Sequence, residues 1–312
     1  MRVLLTGGGG MLASAITDQW HQQRPHDDLI TLRRRDVDLR DRDETARAFG
    51  QHHPDLVIHT AAHVGGIADK LAHPLTYLQE NLRIDTSVID AVVSQDVPQF
   101  VYTGSAAAYP AAAPNPIQEG ALFSGPLELA NEPYGLAKLA GIAAVRYAAQ
   151  QTGRAYRAIA PSNLYGPADS FDPTRAHLIA STIRKAHEAK VANAPEVEVW
   201  GDGAARREFT FAPDVAAWLV EAADDLAAWP VLMNVGAGED HSIREFYDTA
   251  AETVGYTGVL RFDATKPAGV PHRLLDSSLA RAHGWAPRTS LRDGTALCYR
   301  AFLSHHVNGA AA

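Results

Sequence analysis

The chain contains 312 residues, of which 46% are hydrophobic, enough for one large domain or for two fused domains with cores of their own. Lysine and arginine number 28 against 36 acidic residues, so the formal net charge is -8 at pH 7. Because there is no basic excess to hold a phosphate backbone, nucleic acid is not an expected partner, whereas a small anion could still bind to a few arginines in one cleft.

The cysteine content limits which metal sites are possible, and the apolar runs indicate the cellular compartment. Cys298 is the single cysteine and can form neither an internal disulfide nor a thiolate metal site, so we expect no metal. No apolar run reaches the length of about 18 residues that crosses a membrane, and residues 2–6 resemble a strand and not a leader peptide. We therefore expect a cytoplasmic protein that does not associate with membranes.

Strand-length apolar runs alternate with helical patterns through the first half of the chain. Strands are predicted at residues 3–6, 29–32, 56–60, 100–103 and 156–160. Helices are predicted at residues 13–22, 45–51, 75–94 and 133–151. Repeated βα units of this kind place parallel strands in one sheet with helices on both faces. We therefore expect an α/β fold with a Rossmann-type, doubly wound parallel sheet.

The pattern changes from about residue 166 onward, where prolines such as Pro167, Pro173 and Pro195 interrupt shorter elements. Neither a repeat nor a long uniform helix is visible in this part of the sequence. We expect it to form a smaller and more irregular C-terminal portion that binds the substrate.

A glycine-rich loop follows the first predicted strand. Gly7 to Gly10 lead into Met11, Leu12 and Ala13 at the start of a helical pattern, which gives the spacing Gly-x-x-Gly-x-x-Ala. Small residues here let the backbone approach a pyrophosphate, which the helix N-terminus then stabilises. Four glycines could also form a plain flexible turn, but their place between strand and helix favours a dinucleotide site. The predicted contacts are Gly7, Gly10, Met11 and Leu12.

A basic turn after the second strand bears on the choice of cofactor. Many NAD-preferring Rossmann proteins carry an acidic residue where this chain has Arg33. An arginine suits a 2′-phosphate, which favours NADP and leaves NAD as the alternative. Asp38 and Leu39 follow and could contact the adenine. A solvated turn or a simple cap would explain the same residues.

A tyrosine, a lysine and a serine form the predicted catalytic set. Tyr134 and Lys138 are four residues apart and therefore share a helix face, where the ammonium should lower the pKa of the phenol. Ser105 ends the fourth strand, at the sheet edge where doubly wound folds bind ligands, and could hydrogen-bond a carbonyl. Either feature alone could be incidental, but their order and spacing favour catalysis.

Five longer strings carry a family resemblance that spans nearly the whole chain. They lie at residues 61–67 (AAHVGGI), 131–138 (NEPYGLAK), 163–167 (NLYGP), 199–209 (VWGDG and REF) and 266–271 (KPAGVP). With these strings the sequence resembles the extended short-chain dehydrogenases/reductases, the NAD-dependent epimerase/dehydratase family. Within that family it is most similar to the GDP-L-fucose synthase group.

This resemblance implies an enzyme that passes a hydride between a nicotinamide and C4 of a nucleotide-diphosphate sugar. It assigns proton transfer to Tyr134, support of the phenol to Lys138, polarisation of the C4 oxygen to Ser105, and proton movement at a neighbouring carbon to His177. It adds Ala61 and Ala62 to the cofactor contacts, together with Tyr134 and Lys138. The expected substrate contacts are Asn163, Lys185, Trp200, Arg207 and Lys266.

The resemblance also implies an organisation of the chain. We expect residues 1–166 and about 208–235 to form the dinucleotide-binding domain. Residues of about 167–207 and 236–312 should form the nucleotide-sugar-binding portion. The helices predicted at residues 75–94 and 133–151 are rich in small and apolar side chains, and in this superfamily the equivalent pair forms a dimeric four-helix bundle. We therefore expect a homodimer, with packing inside a monomer as the alternative.

Two positions depart from the family pattern. Ala107 occupies the place of a cysteine that, in the fucose synthase group, shares with the histidine the inversion of C3 and C5. Gly8 and Gly9 replace a His-Arg pair whose cation helps to hold a 2′-phosphate. Ala107 argues against double epimerisation, so the leading prediction is an NADPH-dependent reductase of a nucleotide-diphospho-4-keto-sugar, with at most one epimerisation through His177. Gly8 and Gly9 favour the first alternative, a 4-epimerase with tightly bound NAD, which Arg33 opposes. The second alternative is a non-catalytic dinucleotide sensor.

Overall fold

The computed structural model describes residues 1–173, 176–266 and 269–304, apart from the side chain of Ala68. Its strands are β1 Arg2–Thr6, β2 Asp28–Leu32, β3 Leu56–His59, β4 Gln99–Thr103, β5 Ala155–Pro161, β6 Asn163–Tyr165, β7 Glu196–Trp200, β8 Arg206–Arg207, β9 Phe209–Phe211, β10 Leu232–Val235, β11 His241–Ser242, β12 Val259–Asp263 and β13 His272–Arg273. Its helices are α1 Met11–Gln23, α2 Arg42–His52, α3 Ile67–Ala72, α4 Pro74–Ser94, α5 Glu132–Thr152, α6 Leu178–Val191, α7 Ala212–Glu221, α8 Ile243–Val254, α9 Ser278–Ala282 and α10 Leu291–Phe302.

Six parallel strands form the main sheet, in the order β10-β5-β4-β3-β1-β2. The chain leaves β1 for β2 on one side and then returns to place β3 on the other. The strand order therefore reverses at β1, which makes the carboxyl ends of β1 and β3 the switch point where such sheets bind ligands. The predicted Rossmann-type sheet is confirmed, and four of the predicted helices occur within three residues of their expected bounds.

Alternating side chains along each strand explain why both sheet faces are covered. In β1, Val3 and Leu5 belong to one core and Leu4 belongs to the other, because successive side chains point to opposite faces. The first core also contains Trp20 of α1 and Trp218 of α7. The second core contains side chains of α2, α4 and α5. Strands buried on both faces have near-continuous apolar sequences, as observed here.

The rest of the described chain forms small sheets around a third core. β7 pairs with β12, β6 pairs with β9, and β8 lies between β11 and β13. Cys298 lies in α10, buried in this third core, where burial raises the pKa of its thiol to about 12. This placement fits the expected irregular C-terminal portion. Among the described residues, no helix is long and apolar enough to span a membrane.

Two of the elements that the sequence did not predict bear on the sheet and the site. The short helix α3, Ile67–Ala72, is too brief for a helical period to be recognised. The sixth strand, β10, contains the unremarkable sequence Leu-Met-Asn-Val and joins the sheet only through its pairing with β5. Both elements depend on tertiary contacts that a local sequence pattern does not reveal.

Candidate active site

The glycine loop lies at the switch point, and because it has no side chains, a ligand can approach its backbone closely. Gly7 has φ of +79°, and a Cβ atom there would lie 2.7 Å from the backbone nitrogen of Ala61, so the position excludes a side chain. A Cβ on Gly9 would meet no atom within 4 Å, so this part of the loop faces open space. The Gly10 amide donates to the Gly7 carbonyl oxygen at 2.8 Å, directly before α1 begins. The loop thus has the close approach and the helix N-terminus that a pyrophosphate requires.

The side chains of the neighbouring predicted cofactor contacts differ in how far they are buried. Met11 is half-buried at the first position of α1, while the side chain of Leu12 lies in the core. Ala61 and Ala62 are half-buried just after β3. Leu12 can therefore contact a ligand only through its backbone.

The basic turn after β2 runs beside the glycine loop. Arg33 is exposed, and its Cγ would lie 3.2 Å from a Cβ atom on Gly8, so the arginine stem passes directly over the loop. Asp38 accepts two short hydrogen bonds from Arg40, at 2.8 and 2.6 Å, which lower its pKa to about 2. Leu39 is buried in the core. Asp38 and Leu39 are therefore already engaged within the protein, whereas the Arg33 guanidinium has no hydrogen-bond partner among the described residues and can meet a ligand.

Ser105, Tyr134 and Lys138 come together at the carboxyl edge of the sheet. The Ser105 hydroxyl accepts a hydrogen bond from the Ala107 amide at 3.1 Å and lies within hydrogen-bonding reach of the Tyr134 phenol. A Cβ atom on Gly135 would lie 2.4 Å from the Ala107 carbonyl oxygen, so a glycine there lets the first turn of α5 pack against this loop. The predicted juxtaposition of the three side chains is therefore present in the structure.

The pKa of Tyr134 moves in the opposite direction to the one the sequence predicts. Burial raises it, the Lys138 ammonium lowers it, Asp85 raises it, and the hydrogen bond with Ser105 lowers it, with a net increase. The lysine acts as expected, but burial and a carboxylate that sequence reasoning did not include outweigh it. In this environment Tyr134 is held as a neutral phenol, which is the form that donates a proton.

That carboxylate, Asp85, is the centre of a buried polar network below the catalytic side chains. Asp85 lies 3.3 and 3.4 Å from the Lys138 ammonium and accepts hydrogen bonds from His59 Nε2 at 3.1 Å and from the Tyr102 hydroxyl at 2.6 Å. Thr6 completes the chain through a 2.6 Å contact with His59 Nδ1. Burial would raise the pKa of Asp85, but the charge of Lys138 and the two hydrogen bonds hold it below its usual value.

His59 is kept neutral in the same network. It is fully buried, and burial lowers its pKa although Asp85 opposes the shift. A neutral ring satisfies both contacts when Nε2 donates to Asp85 and Nδ1 accepts from the Thr6 hydroxyl. The buried Lys138 ammonium therefore has Asp85 as its negative partner, and the histidine holds that carboxylate in place.

Lys70 is a further cation beside Tyr134 that sequence reasoning missed. Its ammonium lies 5.1 Å from the centre of the Tyr134 ring and donates to the Asn131 side chain at 2.9 Å. Asn131 in turn donates to Glu128 at 2.9 Å. Burial lowers the pKa of Lys70, and the charge of Glu128 partly opposes that shift. Its position on the unpredicted helix α3 explains why no motif pointed to it.

His177 reaches the same cluster from the substrate-binding side. It is the residue before α6, and burial lowers its pKa, with a further decrease caused by the positive charge of Lys70. The neutral imidazole can therefore accept a proton at neutral pH.

The expected diphosphate ligand, Arg207, is placed by a buried glutamate that follows it in sequence. Glu208 accepts hydrogen bonds from the Gly238 amide at 2.7 Å and the Leu275 amide at 3.0 Å, and burial raises its pKa to about 7. Its carbonyl oxygen accepts from Asn163 at 3.2 Å. Asn163 and Arg207, two of the predicted substrate contacts, are thus linked through this one residue.

A second arginine, also missed from the sequence, lies near Arg207. Arg273 donates to the Ala106 carbonyl oxygen at 2.7 Å, next to Ser105, and its Nε has no hydrogen-bond partner among the described residues. Burial lowers the pKa of both arginines, and the charge of Glu128 partly opposes this. A half-buried guanidinium (Arg207) and a buried one (Arg273) near one carboxylate form an electropositive surface that suits a diphosphate.

The other predicted substrate contacts lie on the smaller sheets. Trp200 ends β7 and is 62% exposed, and the Lys266 ammonium lies 6.0 Å from its ring centre. An exposed aromatic ring with a cation beside it can stack on a flat base. Lys185 is directed at the Tyr247 hydroxyl, 3.4 Å away. Pro267 and Ala268 of the predicted motif lie outside the described residues.

This fold and this site define a class of protein: a Rossmann-type dinucleotide protein with a tyrosine-lysine-serine set at the carboxyl edge of its sheet. The model of the NAD dependent epimerase/dehydratase family matches residues 3–236. The chain belongs to that family, and the resemblance predicted from its motifs is confirmed.

Individual relatives are similar along nearly their whole length. GDP-L-fucose synthase of Escherichia coli (strain K12) is 39% identical, with 97% of each chain covered. GDP-L-colitose synthase of Yersinia pseudotuberculosis is 32% identical, with 99% of this chain and 100% of the relative covered. The GDP-mannoheptose C4 reductase of Campylobacter jejuni, solved with NADP bound, superposes with a TM-score of 0.87 at 28% identity, over 96% and 98% of the two chains.

Proposed function

We propose that this protein is an NADPH-dependent reductase that acts at C4 of a GDP-linked 4-keto-sugar. The observation that carries the proposal is the placement of the Tyr134 phenol beside Ser105 and close to the buried Lys138-Asp85 pair. Relatives named for GDP-L-fucose, GDP-L-colitose and a GDP-heptose C4 reduction support both the nucleotide and the carbon.

The residues around the glycine loop fit a nicotinamide dinucleotide. Gly7 excludes a side chain and Gly9 leaves open space. Arg33 passes over the loop, and within the described part of the chain its guanidinium is unpaired, as binding of a 2′-phosphate would require. When bound, NADPH supplies the hydride that the sugar carbon receives. The protein binds, orients and moves protons.

The chain's own residues then account for the proton steps at C4. Ser105 donates a hydrogen bond to the keto oxygen and orients it toward Tyr134. Tyr134 delivers its proton to that oxygen as negative charge develops there, and Lys138 stabilises the resulting phenolate until solvent restores the proton. Arg207 and Arg273 hold the diphosphate, and Trp200 stacks on the base.

We further propose that the enzyme does not invert both carbons that flank the keto group. Inversion needs one group to remove a proton and a second to return it on the opposite ring face. His177 can serve as a base, but Ala107 presents a methyl group, and the described thiol, Cys298, is buried in the third core. Proton exchange should therefore be limited to one flanking carbon.

Deuterium labelling tests this function directly. We expect the enzyme to oxidise NADPH with GDP-4-keto-6-deoxy-mannose, and to incorporate deuterium from heavy water at no more than one flanking carbon, as seen by NMR. The matched variant His177→Gln should lose that label while it still reduces the ketone. Labelling and inversion at both carbons would contradict the lack of double epimerisation, and failure to consume NADPH would contradict the reductase.

The cofactor preference should follow the basic turn. Arg33→Asp should weaken NADPH binding by about 10- to 100-fold, because a carboxylate repels the 2′-phosphate and loses a charge-assisted hydrogen bond. NADH binding should change little or improve. Titration of both cofactors by fluorescence checks this, with Arg35→Asp, an exposed arginine in the same turn, as the control. Equal losses for both cofactors would show that Arg33 does not read the 2′ position.

We propose the same organisation that the motifs suggested. The strands of the parallel sheet support a dinucleotide-binding domain of residues 1–166 with about 208–235, since β10 at Leu232–Val235 is part of that sheet. We also propose a homodimer built on α4 and α5. The exposed side chains of Leu75, Leu136 and Tyr147 on these two helices support it, since large apolar groups in solvent favour a protein contact.

A further inference from the structure

Helix α3 has its polarity reversed. Ile67 and Leu71, four residues apart and so on one face, are 55% and 57% exposed, whereas Lys70 is turned inward against α5. A surface helix normally buries the apolar side chains and leaves the lysine in water. Turning the ammonium inward costs desolvation free energy, so its position calls for a ligand or a function.

The contacts of Lys70 within the protein satisfy it only in part. Its ammonium has three protons, and the described residues provide one hydrogen-bond acceptor, the Asn131 side chain at 2.9 Å. The Tyr134 ring face, 5.1 Å away, and the more distant charge of Glu128 add attraction without accepting a hydrogen bond. Two N–H donors therefore remain beside the phenol that protonates the substrate.

The charges that face Lys70 come from three elements. Glu128 precedes α5 and attracts the ammonium, Tyr134 lies in the first turn of α5, and His177 precedes α6 and is repelled as an imidazolium. Lys70 is thus close to both side chains to which the proton steps are assigned. An ammonium in this position can stabilise an oxygen that carries or gains negative charge.

We propose that Lys70 is a catalytic residue that contacts the sugar: its ammonium donates hydrogen bonds to a sugar oxygen beside the Tyr134 phenol and stabilises negative charge there. The proposal rests on the function proposed above. As C4 receives the hydride, the carbonyl electron pair moves to the oxygen, and Tyr134 supplies the proton that neutralises it. Lys70 transfers no proton in this step and lowers the energy of the charged oxygen by its field.

A binding measurement, which needs no turnover, tests the role of Lys70 independently of the proposed reductase activity. We expect Lys70→Met to weaken GDP-mannose binding about tenfold by calorimetry, the size of one charge-assisted hydrogen bond, and to leave GDP binding unchanged. Lys70→Gln keeps a donor for Asn131 but lacks the charge, and should behave like Lys70→Met. The control is Lys190→Met, because Lys190 donates to the Val254 carbonyl oxygen outside the cluster. Equal effects on GDP and GDP-mannose, or none, would overturn the proposal.

The pH dependence of kcat/KM gives a second test, because a lysine with a purely structural role would not change it. Burial lowers the pKa of Lys70, so kcat/KM for the keto-sugar should fall as the pH rises through that value and the ammonium is lost. Lys70→Arg keeps its charge at every accessible pH and should shift this fall to higher pH. An alkaline limb identical in the wild type and Lys70→Arg would overturn the proposal. If no variant or wild type consumes NADPH, the reductase fails, while the GDP-mannose comparison still decides the role of Lys70.

Discussion

Tyr134→Phe is expected to reduce turnover by about 100- to 10,000-fold, the usual contribution of a positioned proton donor. The substitution removes one oxygen from a half-buried side chain and leaves its ring beside the Lys70 ammonium of α3. Dissociation constants for NADPH and for the nucleotide sugar should stay within about threefold of the wild type, because neither depends on the phenolic proton.

Tyr147→Phe provides the matched control. It makes the same chemical change on the same helix, at a hydroxyl that accepts a hydrogen bond from Arg146 at 3.1 Å and contacts no residue of the catalytic cluster, and it should leave every rate unchanged. Steady-state assays of NADPH oxidation with the keto-sugar measure both variants. Turnover of Tyr134→Phe within threefold of the wild type would remove Tyr134 from the proton-transfer step and would require another acid in the cluster.

Asp85→Leu is expected to destabilise the fold by about 3–5 kcal/mol, because it leaves the Lys138 ammonium buried without a counterion. Lys138 and Asp85 are each 2% exposed, so water cannot replace the lost carboxylate. His59 and Tyr102 would also lose their hydrogen-bond acceptor. Chemical denaturation followed by circular dichroism measures the free energy of unfolding.

The double variant Asp85→Leu/Lys138→Met isolates the electrostatic part of that loss. Removing both charges should recover part of the stability, since a buried ion pair costs desolvation that two apolar side chains avoid. If the double variant is as unstable as the sum of the two single variants, the pair is not coupled, and packing alone would explain the Asp85 effect.

The parallel sheet and its helices could be predicted from local sequence patterns. The residues around the catalytic side chains could be predicted only in part. The first five strands carry apolar runs with turns on either side, and Gly7, Ser105, Tyr134 and Lys138 stand at places in the βα rhythm where a parallel sheet must bring them to one edge. The period and the order of elements are local properties, which is why these residues could be placed together in advance.

The site residues that the sequence did not predict depend on tertiary contacts and not on a local pattern. Asp85 lies in the middle of a long helix whose sequence gives no sign of a buried carboxylate, and its partners His59 and Tyr102 are on separate strands. Lys70 lies on a six-residue helix with no detectable period. Their roles arise from packing between distant segments. The same packing buries Tyr134 near Asp85, and these two effects reverse the predicted direction of its pKa.

The placement of β10 affects how the chain must be made. β5 ends at Pro161, but its outer neighbour in the sheet is not synthesised until residues 232–235, after β6 to β9 and helices α6 and α7. On the ribosome the nascent sheet therefore waits with an unpaired edge, a state prone to pair with other chains. The same geometry means that a fragment ending near residue 166 would keep the glycine loop and the tyrosine yet expose β5. A truncated form of this protein should therefore retain α7 and β10, so that β5 keeps its neighbouring strand.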